Sequence, residues 1–141
     1  MLCTQRTASI GSPTSAMKTV PTNMLIGVVD DDESIRCSTA SLLRSEGYVT
    51  ESFDSAEDFL ESGDYGRFAC VVADIQMPGM SGIELANKLS RSEPPTPVIL
   101  VTARSERDVL ADAAESKATC LLRKPFAAER LLECLRSAVA G

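Results

Sequence analysis

Three features of the sequence predict an α/β fold, a doubly wound five-stranded parallel sheet with helices on both faces. Short apolar runs alternate five times with segments of helical period between residues 24 and 141. The central runs are apolar at consecutive positions, as expected of strands covered on both sides. The runs also end in polar groups, and in sheets of this kind the site lies beyond the carboxyl ends of the strands.

The elements follow in order. Met24–Asp30 (MLIGVVD) is the first strand, ending in acid. A helix carries Ile35, Thr39, Leu42 and Leu43 on one face and is closed by Gly47. Tyr48–Phe53 is a weaker strand. Ser55 caps a short helix bearing Phe59 and Leu60, with Asp58 three residues after the cap. Glu61–Phe68 is a loop, and Ala69–Asp74 (ACVVAD) is a strand that again ends in acid. Met77–Gly82 (MPGMSG) is loop chemistry and Ile83–Arg91 is helical. Pro94, Pro95 and Pro97 break that helix before the strand Val98–Thr102. Ser105 caps the next helix, whose buried stripe is Val109, Leu110 and Ala113. Thr119–Arg123 is the fifth strand. The last helix starts near Ala127 and turns Leu131, Leu132, Leu135 and Val139 inward.

Residues 1–23 have no apolar period and contain Pro13 and Pro21, so they read as a flexible N-terminal tail. The chain of 141 residues suits one domain at 24–141. Its net charge of −6 disfavours direct binding to nucleic acid or an anionic membrane. No apolar stretch approaches the ~20 residues of a membrane span, and no signal peptide is evident. The absence of histidine removes histidine acid–base chemistry and most zinc or copper sites. Cys3, Cys37, Cys70, Cys120 and Cys134 are odd in number and form no C-x-x-C. They read as separate, largely buried thiols in a reducing cytosol rather than a disulfide framework.

The carboxyl ends of the strands carry the chemistry. The first ends in Asp30, Asp31 and Asp32, the third in Asp74 and the fourth in Thr102; Lys124 follows the fifth. Each alone has a plainer reading. An acidic run before a helix is usually a solvated first turn. A strand-end aspartate is usually a turn residue, Thr102 alone is a β-branched strand residue, and a lysine belongs at the surface. Together, on one rim, they make an oxygen site with a hydroxyl and an ammonium. Repelling carboxylates without His or Cys point to Mg²⁺ or Mn²⁺. A carboxylate beside such a cation, facing Lys and Thr, is equipment for an aspartyl phosphate.

IGVVDDDESIR, VVADIQMPGMSGIEL, VILVTAR and LLRKPF resemble the receiver domain of two-component response regulators, over about residues 24–140. FDSAEDFL and MPGMSGIEL look most like receivers of the nitrogen-fixation regulator type. The resemblance implies a flavodoxin-like strand order of 2-1-3-4-5 and a non-enzymatic signalling role as phosphoacceptor. It makes Asp74 the phosphoacceptor. Asp31 is a direct metal ligand, Asp30 acts through water, and the Gln76 carbonyl is the backbone ligand. Thr102 is the switch hydroxyl, Lys124 contacts the phosphoryl group, and Pro125 follows a cis peptide. The implied partners are a histidine kinase or phosphotransfer protein and a downstream protein, with a homodimer formed on phosphorylation as a further expectation. The implied setting is the cytoplasm. No effector segment follows the last helix, so the expectation is a stand-alone receiver.

Two positions depart from the family pattern. Leu121 stands where an aromatic switch residue is usual, and Lys117 where a glycine turn is usual. Both lie on the face that carries the family's output, so an alternative is a protein-interaction module that works without phosphorylation. An aspartyl-nucleophile phosphatase needs a second carboxylate two residues after the nucleophile; that position is Gln76.

Overall fold

The computed structural model describes residues 24–63, 65–103 and 106–140; the expected tail at 1–23 lies outside them. The strands are β1 (Leu25–Val29), β2 (Val49–Phe53), β3 (Cys70–Asp74), β4 (Val98–Thr102) and β5 (Cys120–Arg123). They alternate with helices α1 (Glu33–Ser45), α2 (Ala56–Glu61), α3 (Gly82–Ser90), α4 (Arg107–Glu115) and α5 (Ala128–Ala140). All the strand pairs are parallel and the order is β2-β1-β3-β4-β5, as the resemblance implies.

β3 and β4 are buried at every position, which is why their sequences are continuously apolar. Successive side chains leave a strand on opposite faces, and the core divides accordingly. Val71, Ala73, Val98 and Leu100 pack with Phe59, Leu85 and Leu89 of α2 and α3. Val72, Ile99 and Val101 pack with Leu43 of α1 and Leu131 and Leu135 of α5. Gly27 lies under an aromatic group of Phe53, Phe59 and Phe68; a Cβ there would sit 3.3 Å from both Phe59 and Phe68. β1 is thus thinned at one position to admit two rings.

Helix ends follow local chemistry. Asp32 caps α1 by accepting from the Ile35 amide, and Ser55 caps α2 by accepting from Asp58. Ser81 and Glu84 form a capping box at α3, so that helix starts at Gly82 inside the segment expected to be loop. The cap of α4 is Glu106, which makes no side-chain cap bond, while Ser105 lies outside the described residues. Along α4 Ala113 is buried, but Val109 and Leu110 are only half-buried, because this short helix rests on the sheet by its last turn. Val139 is likewise half-buried, and Cys134 and Ala138 complete the inward face of α5.

The expectation of separate thiols is corrected at one pair: Cys120 and Cys134 form a disulfide between β5 and α5. Cys120 lies on the α5 side of the sheet, and Cys134 belongs to the inward face of α5. A separation of 14 residues hides this pairing from motif reading. Cys37 is exposed and Cys70 is buried, with its thiol pushed up to about 12 by burial. Brief alkylation of the native, non-reduced protein should therefore label the Cys37 peptide and leave those of Cys70, Cys120 and Cys134 unmodified. Cys70 should label only after unfolding, and the other two only after reduction. Labelling of Cys70 in the folded state would contradict this packing.

Candidate phosphoacceptor and metal site

The parallel register brings the ends of β1, β3, β4 and β5 to one rim, with Asp74 opposite Val101 and Thr102 opposite Arg123. Asp30 follows β1 and is 5% exposed, Asp74 ends β3 at 8%, and Thr102 ends β4 at 0%. Asp31 is exposed. Carboxylate oxygens of Asp30, Asp31 and Asp74 lie within 4.8 Å of one another. Lys124 reaches in from the end of β5, its Nζ 3.3 Å from Asp30 Oδ2 and 3.4 Å from Asp74 Oδ2. The Lys124–Pro125 peptide is cis, as the resemblance implies, and the Lys124 amide donates to the Thr102 carbonyl at 2.7 Å. The structure therefore brings Asp30, Asp31, Asp74 and Lys124 together, with Thr102 at the end of the strand next to that of Asp74.

The site is held from several sides. Asp30 Oδ1 accepts from the Asp32 amide at 2.9 Å, and Arg36 donates to the Asp30 carbonyl. Asp74 Oδ1 accepts from the Gln76 amide at 3.2 Å. Burial pushes the Asp74 carboxyl above its ordinary range; Lys124 pulls it down and Asp30 pushes it further up. Three carboxylates of hard oxygen, two of them buried, fit a divalent cation of the Mg²⁺ type.

Sequence reasoning missed two contributors. The first is Gly82 at the start of α3. A Cβ there would press on the Asp74 carbonyl oxygen and lie 2.9 Å from its carbon and 3.1 Å from Ile75 Cα. The MSG segment carried the signal, but the partner is eight residues upstream and becomes visible only in three dimensions. The second is the Gln76 side chain, whose Oε1 accepts a hydrogen bond from Thr102 Oγ1 at 2.9 Å.

Comparison with known proteins agrees with this geometry. Residues 26–136 match the family described as the response regulator receiver domain. The transcriptional regulatory protein FixJ of Bradyrhizobium diazoefficiens is 36% identical over 81% of this chain and 56% of its own length. TdiR of Thauera aromatica is 34% identical over 80% of the chain and 50% of its own length. Among solved structures, the BeF3-activated receiver domain of DrrB superposes with a TM-score of 0.75 at 31% identity, covering 84% of this chain and 98% of that one. The chain belongs to the response-regulator receiver family. It spans about half the length of the FixJ and TdiR proteins it matches. Among the described residues no helix is long and apolar enough to cross a membrane.

Two stability predictions follow from the rim. Gly82→Ala should destabilise the chain by about 1–3 kcal/mol, because a fixed backbone cannot yield as a flexible side chain can; denaturant unfolding measures this, and unchanged stability would contradict the close approach. The second concerns charge. Because folding raises the Asp74 pKa, the native state holds that proton more tightly than the unfolded chain. The resulting stability is present at acid pH and lost as pH rises through the native value. Without metal at neutral pH, Asp74→Asn should then melt higher than wild type by roughly a few degrees. The gap should close as pH falls toward the ordinary carboxylate range. A lower melting temperature at neutral pH in EDTA would contradict this.

Proposed function

We propose that this chain is a phosphoacceptor switch of two-component signalling. It takes a phosphoryl group from a phosphohistidine of a histidine kinase or phosphotransfer protein onto Asp74. The observation that carries the reading is the placement of Lys124 against Asp30 and Asp74, with Thr102 fully buried beside them on the same rim.

An Asp74 carboxylate oxygen attacks phosphorus as the phosphorus–nitrogen bond breaks. The electron pair returns to the imidazole, which takes up a proton, and Asp74 becomes a mixed anhydride. Attack of water at phosphorus later restores the carboxylate and releases phosphate. Lys124 is placed to pair with a phosphoryl oxygen and Thr102 to donate a hydrogen bond to another. Asp30, Asp31, Asp74 and the Gln76 carbonyl would hold Mg²⁺ or Mn²⁺, which when bound neutralises charge on the carboxylates and the phosphoryl oxygens. The chain is then no enzyme toward other substrates; at most it promotes its own phosphorylation and dephosphorylation, in the cytoplasm where its donor resides.

Output passes through the α4–β5–α5 face to a protein partner. Leu121 in β5 is half-buried and, like Val109 of α4, packs against the core cluster that holds Leu100 and Ala113. Burial of Leu121 is therefore largely in place at rest, and the further gain on activation is small. Intact-mass spectrometry after incubation with acetyl phosphate and Mg²⁺ should show one added phosphoryl group in wild type and none in Asp74→Asn. Equal incorporation in the variant would move the acceptor elsewhere, and none in wild type would sink the reading.

A further inference from the structure

The Thr102 hydroxyl is fully buried at the rim and spends its proton on a side chain outside the carboxylate cluster. Oγ1 donates to Gln76 Oε1 at 2.9 Å, and Gln76 stands on the loop that leaves β3 two residues after Asp74. A hydroxyl has one proton to donate. Thr102 Oγ1 therefore cannot donate to Gln76 and to a phosphoryl oxygen on Asp74 at the same time. The two acceptors are mutually exclusive, and exclusivity is what makes a two-state element.

Gln76 also has somewhere to go. Its side chain borders a cleft of about 590 Å³ between the β3–α3 loop and α4, lined by Met77, Pro78, Ile83 and Val109 among others. Released from Thr102, the amide can turn toward solvent in this cleft, so its polar atoms need not be buried without partners. The far wall of the cleft includes Val109 and Asp112 of α4, so the released side chain would face that helix.

We infer that the Gln76 side chain is a positioning residue: it holds the Thr102 hydroxyl in the resting state, and phosphorylation must break this bond before Thr102 can serve the phosphoryl group. The inference rests on Asp74 being the phosphoacceptor. The latch sets how readily the active state forms, separately from the chemistry at Asp74. The sequence position would otherwise suggest only the backbone role of Gln76, and Leu, which cannot accept a hydrogen bond, tests the side chain alone.

The test is a double-mutant cycle of wild type, Gln76→Leu, Thr102→Val and the double variant. Each full-length chain is titrated with beryllofluoride in saturating Mg²⁺ and followed by fluorine NMR, with thermal melts to verify folding. Gln76→Leu should bind beryllofluoride roughly three- to tenfold more tightly than wild type, the worth of one hydrogen bond no longer broken. In the Thr102→Val background the same substitution should change affinity by less than about twofold, since no hydroxyl remains to be held. If Gln76→Leu does not fold, Gln76→Met takes its place in the cycle. Equal effects in the two backgrounds, or no tightening in a folded variant, overturn the latch while leaving the phosphoacceptor reading intact. Failure of wild type to take up beryllofluoride overturns both.

Discussion

Asp30, Asp31 and Asp74 crowd their carboxylate oxygens within 4.8 Å of one another, and the rim is built to hold them there against repulsion. At an effective dielectric near 20, two unit charges 4.8 Å apart repel by about 3.5 kcal/mol. Lys124 relieves part of this by bridging Asp30 and Asp74, and amides of Asp32 and Gln76 take one oxygen of each. Burial is the leading cause of the raised Asp74 carboxyl, and one ammonium stands against three carboxylates. A site left short of positive charge is one that a cation completes.

That arrangement is delivered by the sheet. Parallel strands point their carboxyl ends one way, so residues far apart in the chain meet without any long loop. Gly82 lets α3 start against the Asp74 backbone, and the Ser81–Glu84 capping box fixes that start. The Phe59 and Phe68 rings pack over Gly27 of the neighbouring strand β1, in the same cluster as Leu85 and Leu89 of α3. Rigidity around Asp74 leaves the Gln76 loop and α4 as the parts with room to respond, since α4 buries only its last turn and has a cleft along one side.

Much of this was legible in the sequence because its causes are local or periodic. The unbroken apolar runs of β3 and β4 announce burial on both faces, and Asp74, Thr102 and Lys124 announce the site by ending or following strands. What was not legible depends on register between distant segments. The Cys120–Cys134 disulfide needs the facing of β5 on α5, the Gly82 contact needs the packing of α3 on its own preceding strand, and the Gln76–Thr102 bond needs a side-chain rotamer. The half-burial of Val109 and Leu110 escaped because apolar period gives the face of a helix but not how closely that helix lies on the sheet. After α4, Lys117 takes the position where the family pattern has a glycine, with its amide donating to Asn87 Oδ1 at 2.9 Å, so the turn is held by a side chain of α3.

On the proposed function, the carboxylate cluster of Asp30, Asp31 and Asp74 takes up one divalent cation. Titration of Mn²⁺ into the metal-free chain, with free Mn²⁺ followed by electron paramagnetic resonance, tests it most directly. The expected result is saturation at one ion per chain, displacement by Mg²⁺, and binding weakened at least tenfold in Asp31→Ala. Absence of saturable binding, or an Asp31→Ala affinity equal to wild type, would contradict it.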